Sequence, residues 1–244
     1  MLQRTRRGMK RLLNRALSIV RPIQPRPQYS DWWTTDRVGI MDSYRQNEEA
    51  IVKGHVPLRY TRIAAYIPGT RVAEVGCGEG VLALLLGLRG LDVAAFDINE
   101  QRLGIARNLQ KAWLRLNRPV HTVSFRMEDT VAQPQLLDGY ETLVTARILY
   151  HLQQQATKWI EDLPESVNNL VMVGNADKAS LYNSSRGDPS HSLGKWLALA
   201  TTRGMVDLAE RHGFRVIVVD EMDDPLVVAT RSSENRSTRG MHER

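Results

Sequence analysis

Eight consecutive residues, Ala73-Glu74-Val75-Gly76-Cys77-Gly78-Glu79-Gly80, combine carboxylates, a thiol and three glycines at alternate positions. Glycine reaches positive φ without strain and lets a backbone approach a ligand where a Cβ would collide. The segment leaves one apolar run and enters another, Val81–Leu88. It therefore reads as a strand-to-helix turn, with the helix offering its first amides to the same crevice. The dinucleotide pattern G-x-G-x-x-G fits Gly76 and Gly78, but its third position is Val81; the third glycine comes one residue early, at Gly80. Further on stands Phe96-Asp97, where a carboxylate at a strand end can accept from both hydroxyls of a ribose. Asn99 is the better helix cap, which leaves Asp97 for the ligand. Another acidic pair lies in Met127-Glu128-Asp129-Thr130. The stretch Arg147-Ile148-Leu149-Tyr150-His151 carries a cation suited to an anionic substrate and two acid–base candidates, Tyr150 and His151. Histidine is apt because its pKa lies near neutrality.

These groups must be held by an alternation of strands and helices. Strands are expected at 71–75, 92–96, 121–127, 141–146, 168–173, 214–219 and 225–230. Runs such as Val72–Val75, Val93–Phe96 and Leu170–Val173 are short and apolar, as suits strands buried on both faces of a parallel sheet. Helices are expected at 43–53, 57–67, 81–88, 100–117, 148–163 and 199–212. Leu103, Ala106, Leu109, Trp113 and Leu116 form one stripe on the fourth of these. Only Glu221-Met222-Asp223-Asp224 separates the last two strands, too little for a parallel crossover, so they should pair as an antiparallel hairpin. The predicted fold is α/β: a doubly wound, mostly parallel seven-stranded sheet with an antiparallel C-terminal hairpin. Residues 175–195 read as a long polar connection at the carboxyl edge of the sheet, suited to a substrate lid.

Glu74, the Gly76/Gly78/Gly80 loop, Asp97, the acids after strand three and the Leu208–Phe214 joint, in that order, resemble class I S-adenosylmethionine-dependent methyltransferases with a Rossmann-like fold. The resemblance spans about residues 57–230. It implies S-adenosylmethionine as cofactor, bound by Glu74, Gly76, Cys77, Gly78, Gly80, Asp97, Ile98, Glu128, Asp129 and Thr130. Glu74 would serve the methionine end, Asp97 the ribose, and Asp129 (or its neighbour Glu128) the adenine amino group. Thr145-Ala146-Arg147-Ile148 stands where enzymes acting on planar amines carry an Asn/Asp-Pro-Pro-aromatic motif. Neither the aspartate of metal-dependent catechol-type enzymes nor a cysteine nucleophile is found there. No metal is therefore inferred, and the acceptor is expected to be a small molecule or glycan, methylated on oxygen or nitrogen.

The length of 244 residues suits one large α/β domain with an extension. A single cysteine, Cys77, permits no internal disulfide and fits a reducing compartment, so a cytoplasmic location is expected. Residues 1–27 hold eight basic residues and no acid, and the whole chain carries +6, so the rest nets −2. Basic character is thus confined to a tail, and nucleic acid ranks behind a small-molecule partner. Residues 4–20 read as a basic amphipathic helix able to lie on an anionic membrane. A mitochondrial presequence and an idle tail are the other readings. No run reaches the length of a membrane-spanning helix, and the start lacks the pattern of a secretory signal. The expected organisation is a basic extension (1–28), a helical cover (29–70), a methyltransferase domain (71–230) and a disordered tail (231–244). Two competing functions are an RNA or protein methyltransferase docking through the tail, and a cofactor-binding module without catalysis.

Overall fold

A computed structural model of the chain describes residues 29–30, 51–53, 55–185, 197–221 and 224–232. Seven strands form one sheet: β1 Arg71–Val75, β2 Asp92–Asp97, β3 Val123–Met127, β4 Thr142–Ala146, β5 Asn169–Val173, β6 Phe214–Asp220 and β7 Leu226–Arg231. Their order across the sheet is β3-β2-β1-β4-β5-β7-β6. The first five run parallel, and β7 is antiparallel to both β5 and β6, as the short connection required. The order reverses between β1 and β4, and the crevice at such a switch point is where open α/β sheets bind ligands.

The helices are α1 Leu58–Ala65, α2 Val81–Leu88, α3 Glu100–Arg115, α4 Leu149–Leu152, α5 Gln155–Glu161, α6 Ala176–Ser185 and α7 Thr202–Arg211. Strand side chains alternate between two buried layers. Val72, Val93, Ala95, Val144 and Val171 pack with Ile63 of α1, the whole of α2, and Leu103, Leu109 and Trp113 of α3. Ala73, Ala94, Phe96, Leu143 and Leu170 pack on the other face with Trp159 and Ile160 of α5 and Met205 and Leu208 of α7. Every residue of α2 is buried, which explains its lack of a polar face.

Several boundaries differ from expectation for local reasons. Leu116 does not continue the α3 stripe; it is the C-cap, 51% exposed. The single helix expected over 148–163 is broken into α4 and α5 at Gln153, whose φ of 53° and ψ of −127° lie outside helical space. The helix expected from 199 begins at 202, where the Thr201 hydroxyl caps it by accepting from the Gly204 amide. Ahead of it, residues 198–200 form a 3₁₀ turn. The connection after β5 is not extended: its first part, 176–185, is α6. Only residues 51–53 of the helix expected at 43–53 are described; 51 and 52 are helical and 53 is a turn. That segment docks on α3, where the Trp113 indole donates to the Ile51 carbonyl at 3.0 Å. A two-residue parallel pairing, Tyr29–Ser30 with Val56–Pro57, adds extended structure to the region read as helical cover. The basic extension (1–28) and the tail beyond 232 lie outside the described residues. Among the described residues no helix is long and apolar enough to cross a membrane.

Candidate active site

The glycine loop joins β1 to α2 and is wound tightly against the end of β2. The Gly76 and Cys77 amides both donate to the Phe96 carbonyl, at 2.8 and 3.0 Å. The Gly78 amide donates to Asp97 Oδ2 at 2.8 Å, and the Asn99 amide to Asp97 Oδ1 at 2.9 Å. Asp97 thus ties the loop to the strand end before any ligand arrives. Asn99 caps α3 as expected, accepting from the Arg102 amide.

The three glycines serve different ends. All have positive φ, at 72°, 54° and 73° for Gly76, Gly78 and Gly80. A Cβ at Gly76 would lie 2.4 Å from Ile148 Cγ2, and one at Gly80 would lie 2.4 Å from the Phe125 ring. Their close contacts are with the protein. At Gly78 the nearest neighbour of a Cβ would be the Arg102 side chain at 3.5 Å, an ordinary contact, so Gly78 is the one loop glycine not closely packed by the protein.

Carboxylates gather beside this loop. Glu74 is buried, with one oxygen held by the Ala83 amide of α2 and Oε2 without a partner. Burial, with the Asp97 charge adding to it, pushes its pKa up to about 8. Glu79, also buried, is raised by burial, against the Arg102 guanidinium that lies 3.7 Å away. The Cys77 thiol is pushed well above its ordinary range by burial and then by Glu74 and Asp97, so no thiolate nucleophile forms here. Cys77 therefore contributes backbone and packing.

The other expected groups stand along the same carboxyl edge. Ile98 and Met127 are large apolar side chains 75% and 57% exposed, one after β2 and one at the end of β3. Asp129 uses Oδ1 to accept from the Val131 and Ala132 amides, a turn-capping role. Glu128 instead has a buried Oε2 without a hydrogen-bond partner, and so does Thr130 at its hydroxyl. The Trp159 indole fixes this loop by donating to the Thr130 carbonyl at 2.9 Å. With Thr145 of β4, five side-chain oxygens lie buried and without a hydrogen bond at the carboxyl ends of β1, β3 and β4: Glu74 Oε2, Glu79 Oε1, Glu128 Oε2, Thr130 Oγ1 and Thr145 Oγ1. Unpaired buried polar atoms are few in native proteins and need a cause. A ligand rich in hydrogen-bond donors is a sufficient one.

Tyr150 and His151 lie on α4, with ring centroids 4.3 Å apart. Tyr150 is buried, its pKa raised by that burial, and its phenol oxygen accepts from Asn175 Nδ2 at 3.3 Å. His151 is lowered by partial burial and then by the Lys178 ammonium, so it is neutral at physiological pH. Arg147 does not present a free guanidinium. Its Nε and NH2 donate to Asp224 Oδ2 and Oδ1, each at 2.8 Å. The contacts of Asp224, Asn175 and Lys178 and the Glu79–Arg102 pair escaped the sequence reading, because each lies in a turn, loop or helix whose partner is distant in sequence.

The comparisons agree with this geometry. The family model described as "Tellurite resistance protein TehB" matches residues 53–176. A magnesium-protoporphyrin O-methyltransferase of Rhodobacter capsulatus is 27% identical over 120 residues, 49% of this chain and 51% of that protein. A ubiquinone biosynthesis O-methyltransferase of Azotobacter vinelandii is 42% identical over 53 residues, 21% of this chain and 23% of that protein. The chain thus spans about half the length of the first relative and under a quarter of the second. Magnesium protoporphyrin IX methyltransferase of Synechocystis, solved with bound S-adenosylhomocysteine, shares the fold at a TM-score of 0.52 and 20% identity, over 81% of this chain and 90% of that one. An O-methyltransferase family protein of Burkholderia thailandensis does so at 0.50 and 16%, over 82% and 62%. With its glycine loop, strand-end carboxylate and sheet order in place, and with the family model spanning just over half its length, the chain belongs to the TehB family of class I S-adenosylmethionine-dependent methyltransferases.

Proposed function

We propose that the protein methylates an oxygen, or secondarily a nitrogen, on a small-molecule or glycan-type acceptor. The observation that carries the reading is the set of five buried oxygens without a hydrogen bond at the carboxyl ends of β1, β3 and β4, beside the glycine loop. Three of them are carboxylate oxygens, and Asp97 adds a fourth carboxylate nearby. Such a crevice favours a cationic ligand with several donors, and disfavours a dinucleotide pyrophosphate. S-adenosylmethionine carries a sulfonium, an ammonium, two ribose hydroxyls and an adenine amino group, and supplies a methyl group already activated for displacement.

In this reading Glu79, and Glu74 as it gives up its proton to the arriving cofactor, provide negative potential at the methionine end, and Asp97 accepts from the ribose. Ile98 and Met127 flank the adenine, and Glu128, Asp129 and Thr130 meet its polar edge. Because the methyl group is activated, the protein contributes chiefly alignment and exclusion of water. His151, neutral and on the acceptor side, takes the proton of a hydroxyl or phenol as the new bond forms. Oxygen is preferred because the named relatives are O-methyltransferases. Residues 4–20 are proposed to hold the protein at an anionic membrane surface from the cytoplasmic side.

The test is transfer of labelled methyl from S-adenosylmethionine to a panel of phenols, catechols, sugars and small amines. Label in a phenol or sugar hydroxyl supports the reading. Label only in RNA or protein fractions replaces it with the docking alternative, and cofactor binding without turnover on any fraction replaces it with the non-catalytic one.

A further inference from the structure

Three separate loops meet at Asp224. It stands just before β7, its side chain only 5% exposed. Both of its oxygens bind the Arg147 guanidinium, from the loop after β4. Oδ1 also accepts from the Ala176 amide, the first residue of α6, at 3.1 Å. Backbone contacts reinforce the junction: the Gly174 amide donates to the Pro225 carbonyl at 2.7 Å, and the Arg147 amide to the Val173 carbonyl at 2.8 Å. Arg147 adopts φ 62°, a left-handed conformation unfavourable for a non-glycine residue. Strain of this kind persists only where surrounding contacts fix it. Bidentate guanidinium–carboxylate geometry does that here, since two parallel bonds fix orientation as well as distance.

What the junction holds is the acceptor side. Arg147 is four residues before His151, and Ala176 is two before Lys178. The Tyr150 phenol, next to His151, is tied to Asn175 one residue ahead of α6. We propose that Arg147 and Asp224 form a positioning clamp that locks α4 against α6, so that His151 and Tyr150 face the acceptor in one arrangement, while the cofactor crevice, formed mainly at the ends of β1, β2 and β3, does not depend on the clamp. Arg147 is then a positioning residue, with its charge spent on Asp224 instead of an anionic substrate. The groups that act on His151 are Lys178 from α6 and Tyr150 on its own helix; Arg147 and Asp224 act on Tyr150. Their relative placement is what the clamp determines.

The proposal rests on the methyl-transfer reading for its purpose, but its test needs no acceptor. Full-length wild type, Asp224→Asn, Arg147→Lys and the charge-reversed double variant Arg147→Asp/Asp224→Arg are compared. Three readouts are used: amide hydrogen exchange, the NMR titration of His151, and calorimetric binding of S-adenosylhomocysteine. Asp224→Asn should speed exchange in residues 148–152 and 176–183 by about ten-fold or more, as loss of a local tether does. It should move the His151 midpoint up toward its ordinary 6.5, because Lys178 is no longer held nearby. Exchange in 81–88 and S-adenosylhomocysteine affinity should stay within about two-fold of wild type, a difference under 0.5 kcal/mol. The double variant should recover part of the exchange protection. An unchanged His151 midpoint and unchanged exchange would overturn the clamp, as would equal loss of protection across 81–88 and 148–183, which marks a general structural role. Failure of every form to bind S-adenosylhomocysteine, with the exchange pattern as expected, would count against the methyl-transfer reading and leave the clamp standing.

Discussion

The Glu74→Gln variant isolates the most perturbed group in the crevice. The Glu74 carboxyl titrates at about 8 in the folded chain against an ordinary 4.5. At about 1.4 kcal/mol per unit, that gap corresponds to about 5 kcal/mol between the two protonation states. The sign follows from proton counting. Between pH 4.5 and 8 the folded chain holds the Glu74 proton and the unfolded chain has released it. The stabilisation is complete below 4.5, declines as pH rises, and is gone above about 8. Glutamine keeps an oxygen for the Ala83 amide and removes the titration. Wild type and variant should therefore be of similar stability near pH 5, while at pH 9 the variant should be the more stable by several kcal/mol. Against a total of roughly 5–15 kcal/mol, such a difference is easily measured. Urea unfolding without cofactor at three pH values gives the comparison. A stability difference that does not change with pH, or a wild type that gains on the variant as pH rises, would refute the reasoning.

The other predictions concern ligand handling. Binding of S-adenosylmethionine at pH 7 should release protons from wild type but far fewer from Glu74→Gln, read by calorimetry in buffers of differing ionisation enthalpy. Gly76→Ala should cost about 2–3 kcal/mol of stability, since it combines left-handed strain with a clash on Ile148. Gly78→Ala has no such clash; it should cost about 1 kcal/mol in thermal unfolding yet weaken cofactor binding clearly. Asp97→Ala should lower S-adenosylhomocysteine affinity by roughly ten-fold or more, because a desolvated hydrogen-bond acceptor is worth ~1–3 kcal/mol. His151→Ala should lower turnover by about 10²-fold or more with cofactor affinity unchanged, and wild-type activity should persist below pH 6.5 because the imidazole there still has a large neutral fraction. Removal of residues 1–27 should leave thermal stability intact and abolish sedimentation with anionic vesicles; equal vesicle binding by both forms would remove the tether.

The sheet was legible because its signals are local. Each strand is a short apolar run between turn residues, and the five residues between β6 and β7 decide their direction. The glycine loop was legible in its residues, though the reasons were only partly so. Spacing alone could not tell that Gly76 and Gly80 answer to Ile148 and Phe125, which are distant in sequence and adjacent only after folding. For the same reason Arg147 read as a free cation: Asp224 stands 77 positions away. The break at Gln153 was hidden because the apolar pattern continues across it, and α6 because its sequence has little amphipathic character to mark it as helical. The sequence puts Asp129 ahead of Glu128 for the adenine, but turn capping by the first and the buried oxygen of the second are properties of the folded loop that it does not show.

The central claim is that the crevice beside the glycine loop is built for S-adenosylmethionine. Calorimetric titration of the wild-type protein with S-adenosylhomocysteine and, separately, with NAD tests it most directly. S-adenosylhomocysteine should bind in the micromolar range, near −8 kcal/mol, with no heat of binding from NAD. Measurable NAD binding without S-adenosylhomocysteine binding would contradict the account.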